Sequence, residues 1–244
     1  MKINNSSTQV KKTALYVLLI YIGMQLSSYI FGRPFYNMIK KVTGTTGQEA
    51  IDLTNGWYLA LSMGIALIFT LILTTRDKNF WHIYKEQRKP LPAIVGWGIL
   101  GFFLVYLGQT IGAAIEFGLG IDPGSENTTS IANIAKGAPI AIIAITIFGP
   151  ILEEFVFRRV IFGSLVQTTN FWVAAFVSSV FFALVHFDFT HIILYTISGF
   201  CFAFLYHHTK SIWTSIITHM TFNGFVTLVQ LNLDSITEFL KQMQ

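Results

Sequence analysis

Apolar residues recur along this chain in long unbroken runs instead of the alternating or one-faced patterns of a water-soluble domain. Runs long enough to cross a hydrocarbon core of about 30 Å, which takes about 20 residues in a helix, occupy 13–31, 57–75, 92–117, 137–164, 171–187, 190–206 and 211–231. The pattern predicts an all-α, polytopic helical membrane protein with about seven transmembrane helices. The pair 171–187 and 190–206 sits at the short end of what spans. The connections at 32–56 and 121–136 are rich in Gly, Thr, Asn and Asp and read as solvated loops. Organisation follows as N-terminal transmembrane helices and loops over 1–136, a polar-bearing core over 137–231 and a C-terminal tail over 232–244, within one membrane domain.

Composition agrees with the pattern. Only 11% of the 244 residues are charged, against roughly 25% in soluble domains. Hydrophobic residues make up 53% and mean hydropathy is +0.59, so the bilayer is the natural solvent. The single cysteine, Cys201, excludes a disulfide scaffold or a multi-cysteine zinc module. The net charge of +4 does not indicate nucleic acid, because the basic residues lie between apolar runs without interleaved aromatics. They act as topology signals. With a cytoplasmic N-terminus, the inner segments hold Lys2, Lys11, Lys12, Arg76, Lys78, Lys85, Arg88, Lys89, Arg158, Arg159 and Lys210, leaving Arg33, Lys40, Lys41, Lys136 and Lys241 outside. Eleven against five favours that orientation. A multi-pass cell-membrane protein is expected, its first run a retained anchor, with the lipid bilayer as one partner. The sequence does not give an oligomeric state.

An ionisable group near the bilayer centre costs on the order of 3 kcal/mol, so each needs a reason. The fourth run presents Glu153-Glu154-Phe155-Val156-Phe157-Arg158-Arg159 after fifteen uncharged residues. Taken alone, these charges could mark the cytoplasmic end of a short span. Neighbours on a helix point about 100° apart, so Glu153 and Glu154 should serve different roles. Glu154 and Arg158 are four apart with the acid first, the favourable order for a pair. Glu153 has only Phe157 at that spacing, and desolvation should push it toward the range a general base needs. Gly149-Pro150 invites a kink just upstream. His186 closes the fifth run, and His219 and Asn223 share one face of the seventh. Counted at about 1.5 Å per residue from the cytoplasmic turns, Glu153, His186, His219 and Asn223 fall between roughly 13 and 23 Å deep, within one slice.

Glu153-Glu154-x-x-x-Arg158, Phe182-x-x-x-His186 and His219-x-x-x-Asn223, in that order, resemble the motifs of the CAAX protease and bacteriocin-processing (Abi, CPBP) intramembrane protease family. The matching region is about 138–224, a little over a third of the chain. The resemblance implies an all-α membrane endopeptidase acting on membrane-associated or secreted peptide precursors, with a peptide or protein substrate as its second partner. It implies that Glu153 activates water, that His186 holds or deprotonates it, that His219 and Asn223 stabilise the oxyanion, and that Glu154 and Arg158 brace the site. Cofactor chemistry stays open between none and one zinc. Glu153, His186 and His219 would supply three ligands, giving a metalloprotease, although the His-Glu-x-x-His signature is absent. Asp188 reads as a turn cap beside His186, His191 as a loop residue, and His207-His208 as a helix end. A non-catalytic immunity or scaffold protein, or a transporter using the same polar cavity, is the competing class.

Overall fold

The computed structural model describes residues 5–84 and 87–243; Lys2 and Lys85 of the basic set lie outside them. Among the described residues every regular element is a helix. Helices α1 (Asn5–Thr43) and α2 (Gly47–Arg76) form a long antiparallel hairpin. It is tied at one end by Thr13 Oγ1 donating to Asp77 Oδ2 at 2.8 Å and along its length by Tyr58 OH donating to Ser27 Oγ at 2.8 Å. The solvated loop expected over 32–56 is therefore mostly helix, with only residues 44–46 between the two. Helix α1 carries Pro34 inside it, and Lys40 and Lys41 in its last turn face the negative helix end. It stops at Gly44, whose φ of 73° suits glycine and whose N–H returns to Lys40 O at 3.0 Å.

Helix α3 (Leu91–Gly118) lies against α7 (Ile192–Thr209) and α8 (Ile212–Leu231). Glycines permit the approach: a Cβ on Gly101 would collide with Thr218 and Leu205. Thr218 Oγ1 instead donates to Gly98 O at 2.8 Å across the seam. The second expected loop also proved helical, as α4 (Glu126–Gly137). Its signals were in the sequence: Ser125 is the N-cap, accepting from Thr128 N–H at 3.0 Å, Glu126 lies in the first turn and Lys136 in the last.

Helix α5 covers 141–165 but is not a regular α-helix. Ala144–Phe148 and Glu154–Phe162 are π-helical, and in the second stretch every residue except Ile161 is buried. Packed against it, α6 (Phe171–Leu184) has 14 residues, about 21 Å of helix and too short to cross alone. A short α9 (Leu233–Gln242) follows α8. Among the described residues five helices are long and apolar enough to span a membrane, α1 from Val10 onward, α2, α3, α7 and α8. Beside them stand the interrupted α5 over 141–165 and the shorter apolar α6, in keeping with a polytopic helical membrane protein. The outer faces of α1 to α3 expose Leu15, Leu19, Ile68, Phe69, Phe103 and Leu107, side chains that only lipid solvates favourably. This is a multi-pass membrane protein whose core lies around α5, where Phe155, Phe157, Phe162, Phe182 and Phe202 meet. Arg158, counted above as a topology signal, is wholly buried there. Arg159 sits nearer the end, its guanidinium 4.1 Å from the Phe80 ring centre.

Candidate active site

The π turn in α5 has a local cause and a local consequence. Gly149 N–H bonds to Ala144 O, five residues back. In that register Ile145 O would next receive the N–H of residue 150, which is proline and has none. The freed carbonyl is taken by Asn223, whose Nδ2 donates to it at 3.2 Å from α8. Gly149-Pro150 therefore acts through a hydrogen-bond vacancy that fixes the Asn223 amide.

Beside this junction lies a cavity of about 500 Å³ lined by Glu153, His186 and Asn223. Three of the four residues expected at the chemistry thus line one cavity. Helices before residue 137 help build it: Tyr21 and Gln25 from α1, Leu59 and Met63 from α2, Gln109 from α3 and the inner face of α4. His186 lies just past the end of α6. Its Nδ1 is 2.7 Å from Phe182 O, and a carbonyl only accepts, so Nδ1 carries the proton and Nε2 of the neutral ring is an acceptor. The residue after it, Phe187, has φ 53°, a left-handed conformation costing a non-glycine residue about 1–2 kcal/mol. That reversal turns the chain away just after the histidine, two residues beyond the helix end at Leu184.

His219 is not on the cavity wall. It is buried behind Glu153, with Nδ1 3.0 Å from Glu154 Oε1 and Nε2 3.6 Å from Glu153 Oε2. Its ring stacks on Phe202 at 4.4 Å. The two adjacent acids are thus joined through one imidazole. If Nδ1–H donates to Glu154, a bond across the longer gap needs a proton on Nε2 or on Glu153. Glu154 also faces Arg158, Oε2 to Nε 3.3 Å, both side chains fully buried. Arg158 further stands 4.9 Å from the Phe182 ring centre and 5.4 Å from that of Phe202.

Zinc would need three donor atoms about 2.0–2.3 Å from one point. Among the described residues no three His, Cys, Asp or Glu side chains are so grouped. The Nδ1 contacts of His186 and His219 to a carbonyl and a carboxylate are ones that zinc-bound imidazoles also make, but Glu153, His186 and His219 are not drawn together as a ligand set. The metalloprotease label finds no support in this arrangement.

Several partners were not read from the sequence. Tyr195 stacks on His186 with centroids 4.2 Å apart, and its hydroxyl lies 3.0 Å from Ser125 Oγ and accepts from Asn127 Nδ2 at 3.1 Å. Asp188 does not reach the His186 ring; it accepts from Ser125 Oγ at 2.7 Å. The start of α4 is thereby latched to the neighbour of His186. Nothing local in the sequence marks Tyr195, because the contact is made across helices. Glu116 did carry a signal, being the only charged residue of 91–118. Its Oε2 is 2.7 Å from His191 Nδ1 and its Oε1 accepts from Leu194 N–H at 3.2 Å, so it caps α7. His191 is accordingly more than a loop residue. His207, in the last turn of α7, lies 3.2 Å from Tyr84 OH.

Residues 135–225 match the family described as type II CAAX prenyl endopeptidase Rce1-like. YdiL of Bacillus subtilis (strain 168), which carries the name of a membrane peptidase, is 36% identical over 234 residues, 96% of this chain and 94% of that one. The membrane-embedded CAAX protease MroQ of Staphylococcus aureus (strain USA300) is 35% identical over 212 residues, 83% of this chain and 86% of its own. The UPF0177 protein YxdF of Lactococcus lactis subsp. lactis (strain IL1403) is 42% identical over 77 residues, 31% of this chain and 42% of its own. No solved structure gives a significant match. With a relative above 30% identity along nearly its whole length, and with the ordered motifs on one buried site, the chain belongs to the CAAX protease (CPBP) family of membrane peptidases.

Proposed function

We propose that this membrane peptidase hydrolyses an internal peptide bond in its bilayer-embedded cavity by general-base activation of water. The observation that carries the reading is that Glu153, His186 and Asn223 line one cavity. Glu153 takes a proton from water while the His186 Nε2 lone pair holds that water by a second hydrogen bond. The water oxygen bonds to the carbonyl carbon, and the resulting oxyanion receives the Asn223 Nδ2–H not used on Ile145 O. Collapse breaks the C–N bond, and the proton held by Glu153 passes to the leaving amine. Products are a carboxylic acid and an amine, and one water is consumed.

His219 has a revised role in this scheme. Set between Glu154 and Glu153, it orients Glu153 and can share its proton, so the oxyanion donor from α8 is Asn223 alone. Glu154 and Arg158 hold His219 in turn. The N-terminus is assigned to the cytoplasmic side of the cell membrane, on the distribution of basic residues.

The test uses the purified chain in detergent with quenched-fluorescence peptides. Glu153→Gln should reduce cleavage to background while leaving folded yield near that of wild type, and prolonged chelation should leave wild-type activity intact. Full activity in Glu153→Gln defeats the assignment, and zinc-restorable loss on chelation defeats the metal-free mechanism.

A further inference from the structure

Helix α9 (Leu233–Gln242) is not covered by the rest of the described chain: none of its residues is buried. At about 100° per residue, Leu233, Ile236, Phe239, Leu240 and Met243 fall within an arc of about 120°. Asp234, Ser235, Thr237, Glu238, Lys241 and Gln242 fill the opposite side. The separation is complete, and all five apolar side chains are exposed. A helix of 10 residues is marginal in water on propensity alone and depends on packing of its apolar face.

The position of α9 identifies that packing partner. Helix α8, one of the spanning helices, has 20 residues and so rises about 30 Å, the thickness of the hydrocarbon core. Its last residue, Leu231, therefore stands at the edge of that core, on the side opposite the Lys210 turn. The exposed Phe225 and Leu228 carry the lipid-facing surface to within about two turns of that edge. Asn232 breaks the helix there, its Nδ2 donating to Leu228 O at 2.8 Å and so taking a carbonyl left over at a helix end. Helix α9 begins at the next residue, level with the headgroups. The ion pair that reaches it from α4, Lys136 to Asp234 at 3.4 Å, joins side chains 44% and 93% exposed, and a pair so open to solvent holds little.

We infer that α9 lies in the membrane interface, its apolar face among the acyl chains and its polar face toward water. That polar face carries two acids and one lysine, so attraction to anionic headgroups does not drive the seating. Apolar burial drives it, and the helix seats equally on neutral and anionic lipid. The inference concerns the bilayer and does not depend on the hydrolytic reading.

The experiment uses the full chain with Cys201→Ala, so that single introduced cysteines can carry a nitroxide. The protein is reconstituted in vesicles of phosphatidylcholine, or of phosphatidylcholine mixed with phosphatidylglycerol. Electron paramagnetic resonance compares collision with oxygen, which concentrates in lipid, against collision with a water-soluble nickel chelate. Labels at Ile236→Cys, Phe239→Cys and Leu240→Cys should favour oxygen at least threefold more than labels at Ser235→Cys, Glu238→Cys and Gln242→Cys, in both lipids. Adding Ile236→Asp and Leu240→Asp should return the Phe239→Cys label to the chelate, showing that the helix face and not the label seeks lipid. Chelate access at all six positions overturns the inference. So does poor access of both reagents to the apolar face, which would set it against a second copy of the chain. Lipid access confined to the anionic vesicles, or a label at position 239 that stays in lipid in the aspartate variant, overturns it as well.

Discussion

Replacing Glu154 by Gln isolates one charge in the core and so measures what the ion pair contributes. The substitution keeps a carbonyl oxygen for His219 Nδ1, now 3.0 Å from Glu154 Oε1, and removes only the negative charge facing Arg158. The guanidinium is fully buried, and none of its three nitrogens has a hydrogen-bond acceptor. Apart from the carboxylate 3.3 Å away, its close support is the faces of Phe182 and Phe202. Those rings are present before and after substitution and do not offset the loss. Removing one partner of a buried pair costs about 3–5 kcal/mol. Because the contact lacks hydrogen-bond geometry, the lower end applies, about 3 kcal/mol or a hundredfold in the folding equilibrium. For a chain of this size that lowers Tm by about 6–12 °C, measured by thermal unfolding in detergent. The double variant Glu154→Gln/Arg158→Met removes both charges at similar volume and should recover to within about 3 °C of wild type. A double variant as unstable as the sum of the singles would refute the argument, because the two side chains would then not be energetically coupled.

Asn223→Ala should lower kcat by about 10²–10³ with KM little changed, the loss expected for one oxyanion donor, checked by steady-state cleavage of a quenched peptide. Pro150→Ala restores an N–H that competes with Asn223 for Ile145 O; kcat should fall while Tm holds or rises, and unchanged kcat would separate the proline from the amide. The hydrogen bond to Glu116 raises the titration point of His191 above the ordinary value of 6.5. A raised folded-state value stabilises the fold fully below about pH 6.5 and loses that contribution as pH climbs through the folded-state value. Tm should therefore decline across that window in wild type and less so in His191→Gln, read by thermal unfolding from pH 5.5 to 9.

The sequence by itself determined the solvent and the secondary structure class. With 11% charged residues there is too little polar surface to face water, and apolar runs of spanning length leave helices as the way to satisfy the backbone in lipid. It also singled out the candidate site residues, because an acid or imidazole inside an apolar run is costly enough to need an explanation, and i,i+4 spacing alone placed Glu154 against Arg158. Helix limits were less legible. Polar composition over 32–56 and 121–136 masked helices whose caps, Gly44 and Ser125, are single residues. Only the tertiary structure decided which way each polar side chain faces. His219 and Asn223 share a helix face, yet one lies between two acids and the other at the cavity, since α5 and α8 meet at an angle and depth that periodicity does not encode. The use of Ile145 O by Asn223 and the stacking of Tyr195 on His186 both depend on contacts between separate elements of the fold, the first between residues 78 apart along the chain. A helix specifies its own hydrogen bonds locally, whereas the orientation of its polar side chains is set by whichever neighbour packs against them.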